Sequence, residues 1–282
     1  MHHSPRKKAA LLWRAGLTIH QEIPLNHASL FQLCFRFEQA QAAQSAGWAR
    51  SSGGRVLDLP GATGIGFAPG HPLNQGLALG LTAPLAPEEL DRLEAFLGVN
   101  PVVEVTPGAA EGTLELLNAR GYHLRQFQQV WHRDLAELPV LPALPGLEIR
   151  PLGPGEAELY DRLVMAGFMD QDDLTTLPMD QLLPMGDGSG TVRIIALLGG
   201  IPAGGGAIGL MGPVAPLSGT SVLPGFRGRG LQRHLIDFRL RLAAEWGATE
   251  ACSATLPAAA SEHSLVSMGF QVAYPKVEMA RG

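Results

Sequence analysis

The segment at residues 221–232 constrains the fold of this chain more than any other part of its sequence. Residues 214–222 are predicted to form a strand, and Pro224 ends that strand because proline has no backbone N–H to donate to a sheet. A glycine-rich turn then leads directly into an amphipathic helix predicted at residues 231–246. A strand, a tight turn and a long helix in direct succession indicate one unit of an α/β fold.

The turn itself has the chemistry of an anion-binding site. It consists of Arg227, Gly228, Arg229 and Gly230. The first amide N–H groups of a helix lack internal partners, and the helix dipole places partial positive charge there. The glycines leave room for a bulky anion, and the arginines add full charges. We therefore predict a pyrophosphate site at this turn, with an ordinary surface turn as the alternative.

Length and composition indicate two domains. A chain of 282 residues exceeds the usual size of one domain, and residues 136–146 (AELPVLPALPG) form a proline-rich, semi-stiff linker. We place the domains at residues 1–135 and 147–282. The formal net charge of −5 argues against a duplex nucleic-acid partner, and no apolar run approaches the ~20 residues of a membrane span. Cys34 and Cys252 are expected to be buried thiols, which favours a cytoplasmic protein without a metal site.

Hydrophobic periodicity predicts the elements of each half. In the first half we expect helices at 26–45, 87–97 and 108–119, strands at 55–59, 76–81, 102–105 and 126–135, and a loop at 61–66. In the second half we expect helices at 156–165, 179–183, 231–246 and 261–268, and strands at 147–151, 192–198, 203–210, 214–222, 250–255, 271–274 and 276–279.

Both halves end in the same order of elements. Each has a strand, a helix, a glycine followed by an aromatic residue, and a further strand, with Gly121-Tyr122 in the first half and Gly269-Phe270 in the second. This weak repeat predicts two copies of one fold, of which the first is degenerate.

The stretch VLPGFRGRGLQRHL resembles the acetyl-CoA-binding motif of the GNAT superfamily of N-acetyltransferases. That motif has Gln or Arg, two residues, Gly, one residue, and then Gly or Ala. Arg227 and Gly230 match the first two fixed positions, whereas Gln232 stands where Gly or Ala is usual. The resemblance covers roughly 135 residues of the second half. With its degenerate first copy, the whole chain resembles tandem-GNAT proteins.

The resemblance implies a mixed α/β fold with two GNAT-like domains, each a twisted mixed sheet flanked by helices. It also implies acetyl-CoA as co-substrate. The backbone amides of residues 228–232 would hold the pyrophosphate, and the end of the strand would bond the pantetheine arm. The acyl group would lie in a wedge between this strand and the strand at 250–255. The implied cofactor-binding residues are Ser221, Val222, Leu223, Arg227, Gly228, Arg229, Gly230, Leu231, Gln232 and Ser264.

The catalytic groups stay unassigned. Ser218 stands where many family members carry a carboxylate base, and Leu265 stands where many carry a tyrosine acid. A further candidate is an acidic loop expected to border the acceptor cleft, with a solvated loop as the alternative; its members are Asp170, Asp172 and Asp173. Of the nearby histidines, His234 and His263, we expect both to be structural.

Two functions fit these patterns. The first is an N-acetyltransferase that moves an acetyl group from acetyl-CoA to a small-molecule or peptide amine. The second is an acyl-CoA-binding sensor or scaffold without chemistry, which the missing carboxylate and tyrosine keep open. Neither the acceptor nor the oligomeric state follows from the sequence.

Overall fold

The computed structural model describes residues 27–71, 73–177 and 190–282 of the chain. The helices are α1 (His27–Ser51), α2 (Pro87–Leu97), α3 (Thr113–Ala119), α4 (Ala157–Phe168), α5 (Leu231–Glu245) and α6 (Ala260–Ser267), with a short 3-10 turn at Pro224–Phe226. The strands are β1 (Arg55–Leu59), β2 (Ala62–Gly66), β3 (Gln75–Leu77), β4 (Val102–Val105), β5 (His123–Asp134), β6 (Leu147–Pro151), β7 (Thr191–Leu198), β8 (Ile201–Gly209), β9 (Val214–Val222), β10 (Glu250–Thr255) and β11 (Gln271–Ala280). Residue 26, the first of the helix predicted at 26–45, and the helix predicted at 179–183 lie outside the described residues.

The described strands form one mixed sheet with helices on both faces, so the predicted mixed α/β class is confirmed. The order across the sheet is β1-β2-β3-β4-β11-β5-β10-β9-β8-β7-β6. β9 runs parallel to β10 and β3 runs parallel to β4, whereas the other neighbours are antiparallel. We expected a separate sheet in each half. The structure instead joins the strands of both halves into one sheet, and the division at 136–146 stays a prediction.

The two halves of the chain interleave at the centre of this sheet. β5, from the first half, lies between β10 and β11 of the second half, and β11 lies between β4 and β5 of the first. The β5–β11 pair is the longest in the sheet and runs antiparallel from Gln271–His132 to Ala280–His123. Each half therefore contributes one strand to the other half's part of the sheet.

The repeated glycine-aromatic pair has the same geometry in both halves. Gly121 and Gly269 have φ values of 80° and 78°, in the left-handed region where glycine is favoured. The N–H of Tyr122 donates to the carbonyl of Leu117 and that of Phe270 donates to Leu265, each at 3.0 Å. The two helices α3 and α6 thus end in matching caps of a common kind, and the predicted internal repeat stays a prediction.

Alternate residues of β9 face opposite helices, which places the helices in two layers. Val214 packs with α1 residues and Ala215 packs with α5 residues. The same alternation continues to Ser218, which contacts α1, but it is broken after this residue, because Thr220 contacts α5 although it lies two positions further on. α1 therefore covers one face of the sheet at β9, and α5 covers the other. None of the described helices is both long enough and apolar enough to cross a membrane.

Two sequence predictions are wrong: the loop at 61–66 and the division of residues 271–279 into two strands. Residues 61–66 are not a loop, because Ala62–Gly66 pairs with β1 as strand β2. Its glycines make room for α2, since a Cβ on Gly66 would lie 2.9 Å from the Phe96 ring. The predicted strands 271–274 and 276–279 are one strand, in which Pro275 is accommodated beside a register shift between Val272 and Tyr274.

A buried ionic cluster crosses the seam between the halves. The Lys276 ammonium on β11 bonds Glu104 on β4 at 2.6 Å, Gln41 on α1 at 2.8 Å and Glu38 on α1 at 3.5 Å. The side chains of Lys276 and Glu38 are 0% and 2% exposed. The hydroxyl of Tyr274 donates to the other oxygen of Glu38 at 2.8 Å. We call these five residues the Lys276 cluster.

Candidate functional site

The predicted phosphate loop occupies the expected place between β9 and α5. The chain turns at Gly228 and Gly230, whose φ values are +74° and +85°, and α5 begins at Leu231. A side chain at these φ values is strained, which is the physical reason for glycine at both positions. The first turn of α5 leaves amide N–H groups without intrahelical acceptors. The loop borders a cleft of about 670 Å³, which we call the loop cleft.

Eight of the ten predicted cofactor-binding residues line this cleft. They are Ser221, Val222, Arg227, Gly228, Gly230, Leu231, Gln232 and Ser264. The structure places the other two elsewhere. Leu223 is buried in the core, and its N–H donates to the carbonyl of Ala203 at 3.0 Å. The guanidinium of Arg229 lies over the Phe226 ring, 5.6 Å from its centroid, and donates to Gly225.

Arg227 braces the loop against the end of α4. Its guanidinium pairs with Asp170, donates to the carbonyl of Gly167 at 2.8 Å, and donates through Nε to the carbonyl of Val222 at 3.1 Å. The side chain is 46% exposed, so one side of the charge still faces the cleft and solvent. Arg227 therefore orients the loop and also supplies positive charge beside it.

The acidic loop lies against the phosphate loop. Asp170 pairs with Arg227, and Asp172 accepts the N–H of Gly225 at 2.9 Å. Asp173 accepts the N–H and the hydroxyl of Thr175 at 2.8 and 2.7 Å, and these bonds lower the pKa of Asp173. All three carboxylates thus have partners in or near the loop. Asp170 and Asp172 form part of the scaffold of the phosphate loop, a role that the sequence did not suggest, whereas Asp173 bonds Thr175 in its own segment.

Gln232, which departs from the family pattern, has a specific partner. The hydroxyl of Ser264 on α6 donates to Oε1 of Gln232 on α5 at 3.1 Å. This bond joins the first turn of α5 to the middle of α6 at the edge of the loop cleft. Ser221 lies on the opposite wall, where a Cβ on Gly167 would come within 1.8 Å of its Oγ. Only glycine at position 167 lets α4 approach β9 this closely.

β9 and β10 diverge to form the expected wedge. Their parallel pairing runs from Val214–Glu250 to Leu217–Ser253, and beyond this point no pairs join them in the described sheet. The space between them, which we call the wedge, has a volume of about 380 Å³. It is continuous with the loop cleft, because both are lined by Phe168, Thr220, Gln232 and Ser261.

β9 carries a bulge where it lines the wedge. Gly205 pairs with Ser221 and Ala207 pairs with Ser218, so one residue of β8 faces two residues of β9, Gly219 and Thr220. Gly219 has a φ value of +60°. A bulge of this kind takes backbone groups out of the ladder between strands. The freed groups lie where the wedge opens, and Gly219 and Thr220 both line it.

Arg239 on α5 holds this bulge from below. Its guanidinium is fully buried and donates to Thr220 Oγ1 at 2.6 Å, to the carbonyl of Ala207 at 3.1 Å and to the carbonyl of Ser218 at 3.3 Å. The helical periodicity of residues 231–246 alone did not place Arg239 in the interior. The run of glycines in β8 is the sequence signal for a large side chain packed against that strand. A Cβ on Gly206 would lie 2.9 Å from Nη1 of Arg239.

A third cavity opens on the other face of the sheet, beneath α1. It has a volume of about 260 Å³ and shares Leu217, Ser218, Gly219, Ser253 and Ala254 with the wedge. We call it the α1 cavity. Its further lining is largely apolar and includes Phe37, Trp48, Val130, Cys252 and, as a charged group, Arg193.

Ser218 faces this cavity, at the position where a carboxylate was considered. Its Oγ lies 3.4 Å from Nε2 of Gln44, which also lies 3.4 Å from the carbonyl of Pro216. Burial raises the pKa of the neighbouring Cys252 and raises the pKa of Cys34 to about 12, so both thiols are protonated at neutral pH. The prediction of two buried thiols is confirmed.

The two histidines differ in position. His234 contacts the carbonyls of Gly230 and Pro142 through its two ring nitrogens, each at 3.0 Å, and so joins α5 to the segment at 136–146. His263 lines the loop cleft. Among the residues that the structure describes, no group of three or more His, Cys, Asp or Glu side chains is arranged to hold a metal ion.

Removing Arg227 tests the phosphate loop directly. We expect Arg227→Ala to weaken acetyl-CoA binding by about 1–3 kcal/mol, the scale of a charged hydrogen bond, because both the charge and the brace to Gly167 are lost. Isothermal titration with acetyl-CoA measures the change. The control is Arg241→Ala, on α5, whose guanidinium pairs with Asp237. Equal affinity in the two variants would contradict the assigned position of the site.

The sequence matches no protein-family model and no curated protein sequence. The structure, however, is similar to solved structures over most of its length. A GCN5-related N-acetyltransferase from Kribbella flavida is 17% identical, with a TM-score of 0.65 over 88% of this chain and 95% of that chain.

Two further solved structures have the same fold. A GCN5-related N-acetyltransferase from Sphaerobacter thermophilus is 14% identical, with a TM-score of 0.52 over 81% of this chain and 75% of that chain. A tandem GNAT protein from the clavulanic acid biosynthesis pathway is 15% identical, with a TM-score of 0.52 over 90% of this chain and 95% of that chain. At these identities the likeness concerns the fold. The chain therefore has the mixed α/β fold of the GCN5-related N-acetyltransferases.

Proposed function

We propose that this protein is an N-acetyltransferase that transfers an acetyl group from acetyl-CoA to an amine. One observation carries the proposal: the loop cleft, the wedge and the α1 cavity adjoin one another through shared lining residues. The loop cleft has the amides and charges that suit a pyrophosphate. The wedge is a slot for the pantetheine arm and its thioester, and the α1 cavity lies beyond it.

In the proposed reaction the amine enters from the α1 cavity and attacks the thioester carbonyl in the wedge. A C–N bond forms, the C–S bond breaks, and CoA leaves as a thiolate. The proton released by the amine nitrogen reaches the thiolate or solvent by way of water. The bulge at Gly219 and Thr220 supplies backbone N–H groups for the carbonyl oxygen. Positioning of the two substrates provides much of the catalysis, and no side chain is assigned as general acid or base.

The lining of the α1 cavity suggests the kind of acceptor. Phe37, Trp48 and Val130 provide apolar surface, and the charge of Arg193 at its wall is paired with Asp161 at 3.9 Å. We propose a small acceptor with one amine on an apolar body. Because Cys34 and Cys252 are buried as free thiols, we also propose that the protein acts in a reducing compartment such as the cytosol.

The test is thiol release from acetyl-CoA in the presence of single amines, beside a binding titration with acetyl-CoA. The panel contains benzylamine as an apolar monoamine, spermidine as a polyamine, and a short peptide with a free N-terminus. We expect amine-dependent thiol release, fastest with benzylamine. Binding of acetyl-CoA without release on any amine would favour the second candidate, an acyl-CoA-binding module. Absence of binding would contradict both.

A substitution in the α1 cavity tests the acceptor route. Ser45 lines this cavity, whereas Ala43 on the same helix is exposed. We expect Ser45→Phe to raise the KM for the amine at least about tenfold, because the ring fills a cavity of this size, and to leave the Kd for acetyl-CoA unchanged. Ala43→Phe adds the same ring outside the cavity and should leave both constants unchanged. Steady-state kinetics of both variants make the comparison, and equal KM values would contradict the route.

A further inference from the structure

Arg239 is a full positive charge in the interior of the protein. Its residue exposure is 0%, and burial lowers the pKa of its guanidinium to about 10, so it is charged at neutral pH. A charge in this position costs several kcal/mol unless hydrogen bonds compensate for it. An apolar side chain of similar length would fill the same volume without that cost. The position of the charge therefore calls for an explanation beyond packing.

The hydrogen bonds of Arg239 converge on the β9 bulge. Nη2 bonds the side chain of Thr220, which is within the bulge, and Nη1 bonds the carbonyl of Ser218, which precedes it. Nη1 also bonds the carbonyl of Ala207 on the opposite strand, at the residue that pairs with Ser218. Nε bonds the carbonyl of Leu235 one turn earlier in α5, which fixes the direction of the side chain. The planar guanidinium thus joins α5, β8 and both ends of the bulge.

A bulge needs such a support because its backbone is outside the ladder. The regular pairs between β8 and β9 stop at Ala207–Ser218 and resume at Gly205–Ser221. Between them, the conformation of the bulge depends on bonds to side chains. Lysine has one charged centre and no planar fork, so it does not reproduce three bonds in these directions.

We propose that Arg239 is a positioning residue for acyl transfer: it holds the bulge at Gly219 and Thr220 so that the freed backbone N–H groups point at the thioester carbonyl. The inference rests on the proposed function. The buried charge has a second effect there, since it stabilises negative charge that develops on the carbonyl oxygen in a region of low dielectric. Arg239 does so through the bulge, without itself binding the oxygen.

The sharpest test changes Thr220, because this leaves Arg239 and the core intact. Thr220→Val is isosteric and removes the Oγ1 that accepts from Nη2, whereas Thr220→Ser retains a hydroxyl. We expect Thr220→Val to lower kcat at least about tenfold with a Kd for acetyl-CoA within about twofold of the parent protein, and Thr220→Ser to restore most of the activity. We expect Arg239→Lys to lower kcat by about 100-fold, and we expect this variant still to bind acetyl-CoA. Arg241→Met, which removes a side chain that is 45% exposed on the same helix, serves as the control and should not change kcat.

An infrared measurement separates this inference from the proposed function. The carbonyl stretch of bound acetyl-CoA, labelled with ¹³C at the carbonyl, reports its polarisation whether or not an acceptor is present. We expect a shift to lower frequency in the parent protein, a smaller shift in Thr220→Val, and recovery in Thr220→Ser. If the parent protein binds acetyl-CoA and lowers its carbonyl frequency but releases no thiol, the enzyme proposal is contradicted and the role of Arg239 is not. Equal shifts and equal kcat values in the parent protein and Thr220→Val would overturn the role of Arg239. If Arg239→Lys does not fold, the two Thr220 variants decide the question.

Discussion

Replacing Gly230 by valine is expected to abolish measurable acetyl-CoA binding at concentrations that saturate the parent protein. Gly230 is the N-cap of α5 with φ of +85°, where a β-branched residue is strongly disfavoured. A Cβ here would lie 3.4 Å from Nη2 of Arg233, above the first turn of the helix. The loop must then change conformation and the amides lose their common direction. We expect a Kd at least about 100-fold higher, or about 2.8 kcal/mol, by calorimetric titration.

A second glycine provides the matched control for this result. Gly199, in the turn between β7 and β8, has φ of +61° and no atom within 4 Å of a built Cβ. Gly199→Val therefore adds comparable backbone strain far from the phosphate loop. Both variants should unfold at lower denaturant concentration than the parent protein, but Gly199→Val should bind acetyl-CoA normally. Normal binding by Gly230→Val would contradict the loop as the pyrophosphate site.

The second large effect is expected from Lys276→Met. Methionine preserves the length of the side chain but leaves Glu38 and Glu104 buried without their cation. Breaking a buried ion pair by removing one partner costs about 3–5 kcal/mol. Denaturant unfolding at pH 8 measures the loss. Arg50→Met removes a pair whose side chains are 59% and 71% exposed, and it should change the free energy of unfolding by less than about 1 kcal/mol.

The loss in Lys276→Met should depend on pH in a defined direction. Burial raises the pKa of Glu38 in the folded protein, and Lys276 opposes that rise. Without Lys276 the pKa of Glu38 rises further, so the folded state holds a proton that the unfolded state releases near its ordinary value. The contribution of such a group to the free energy of unfolding falls as the pH rises from its pKa in the unfolded state, about 4.3, through its pKa in the folded state. The variant should therefore be closer to the parent protein at pH 5 than at pH 8, and adding Glu104→Gln should recover part of the loss. A deficit that is the same at both pH values would contradict this account.

Local signals in the sequence predicted many elements residue for residue. Arg55–Leu59, Pro87–Leu97, Val102–Val105, Leu147–Pro151, Val214–Val222 and Glu250–Thr255 have the predicted bounds. In these segments apolar periodicity, proline and glycine all favour the same structure. The turn between β9 and α5 was predictable for the same reason, since strand, turn and helix follow one another within a short stretch of chain, and its binding of a phosphate group stays a prediction.

What the sequence did not reveal depends on contacts between distant residues. The glycines of β2 suggested a loop, but they are required by the approach of Phe96. Arg239 lies in the helix predicted at 231–246, but its place in the interior beneath the bulge depends on contacts with Ala207 on β8 and with Ser218 and Thr220 on β9. The order of β5 and β11 in the sheet joins residues more than a hundred positions apart, and no local pattern encodes such a pairing.

The interleaving of β5 and β11 has a consequence for how the protein is made. During synthesis on the ribosome, β4 and β5 emerge in the first half of the chain, but the strand that fills the gap between them is β11. Until translation has reached residue 280, both β4 and β5 have an open edge toward that gap, and Glu104 has no Lys276 to neutralise it. Completion of the sheet and neutralisation of its buried acid are thus a single late event in folding, so nascent chains of this protein should depend on chaperones for longer than its size alone would require.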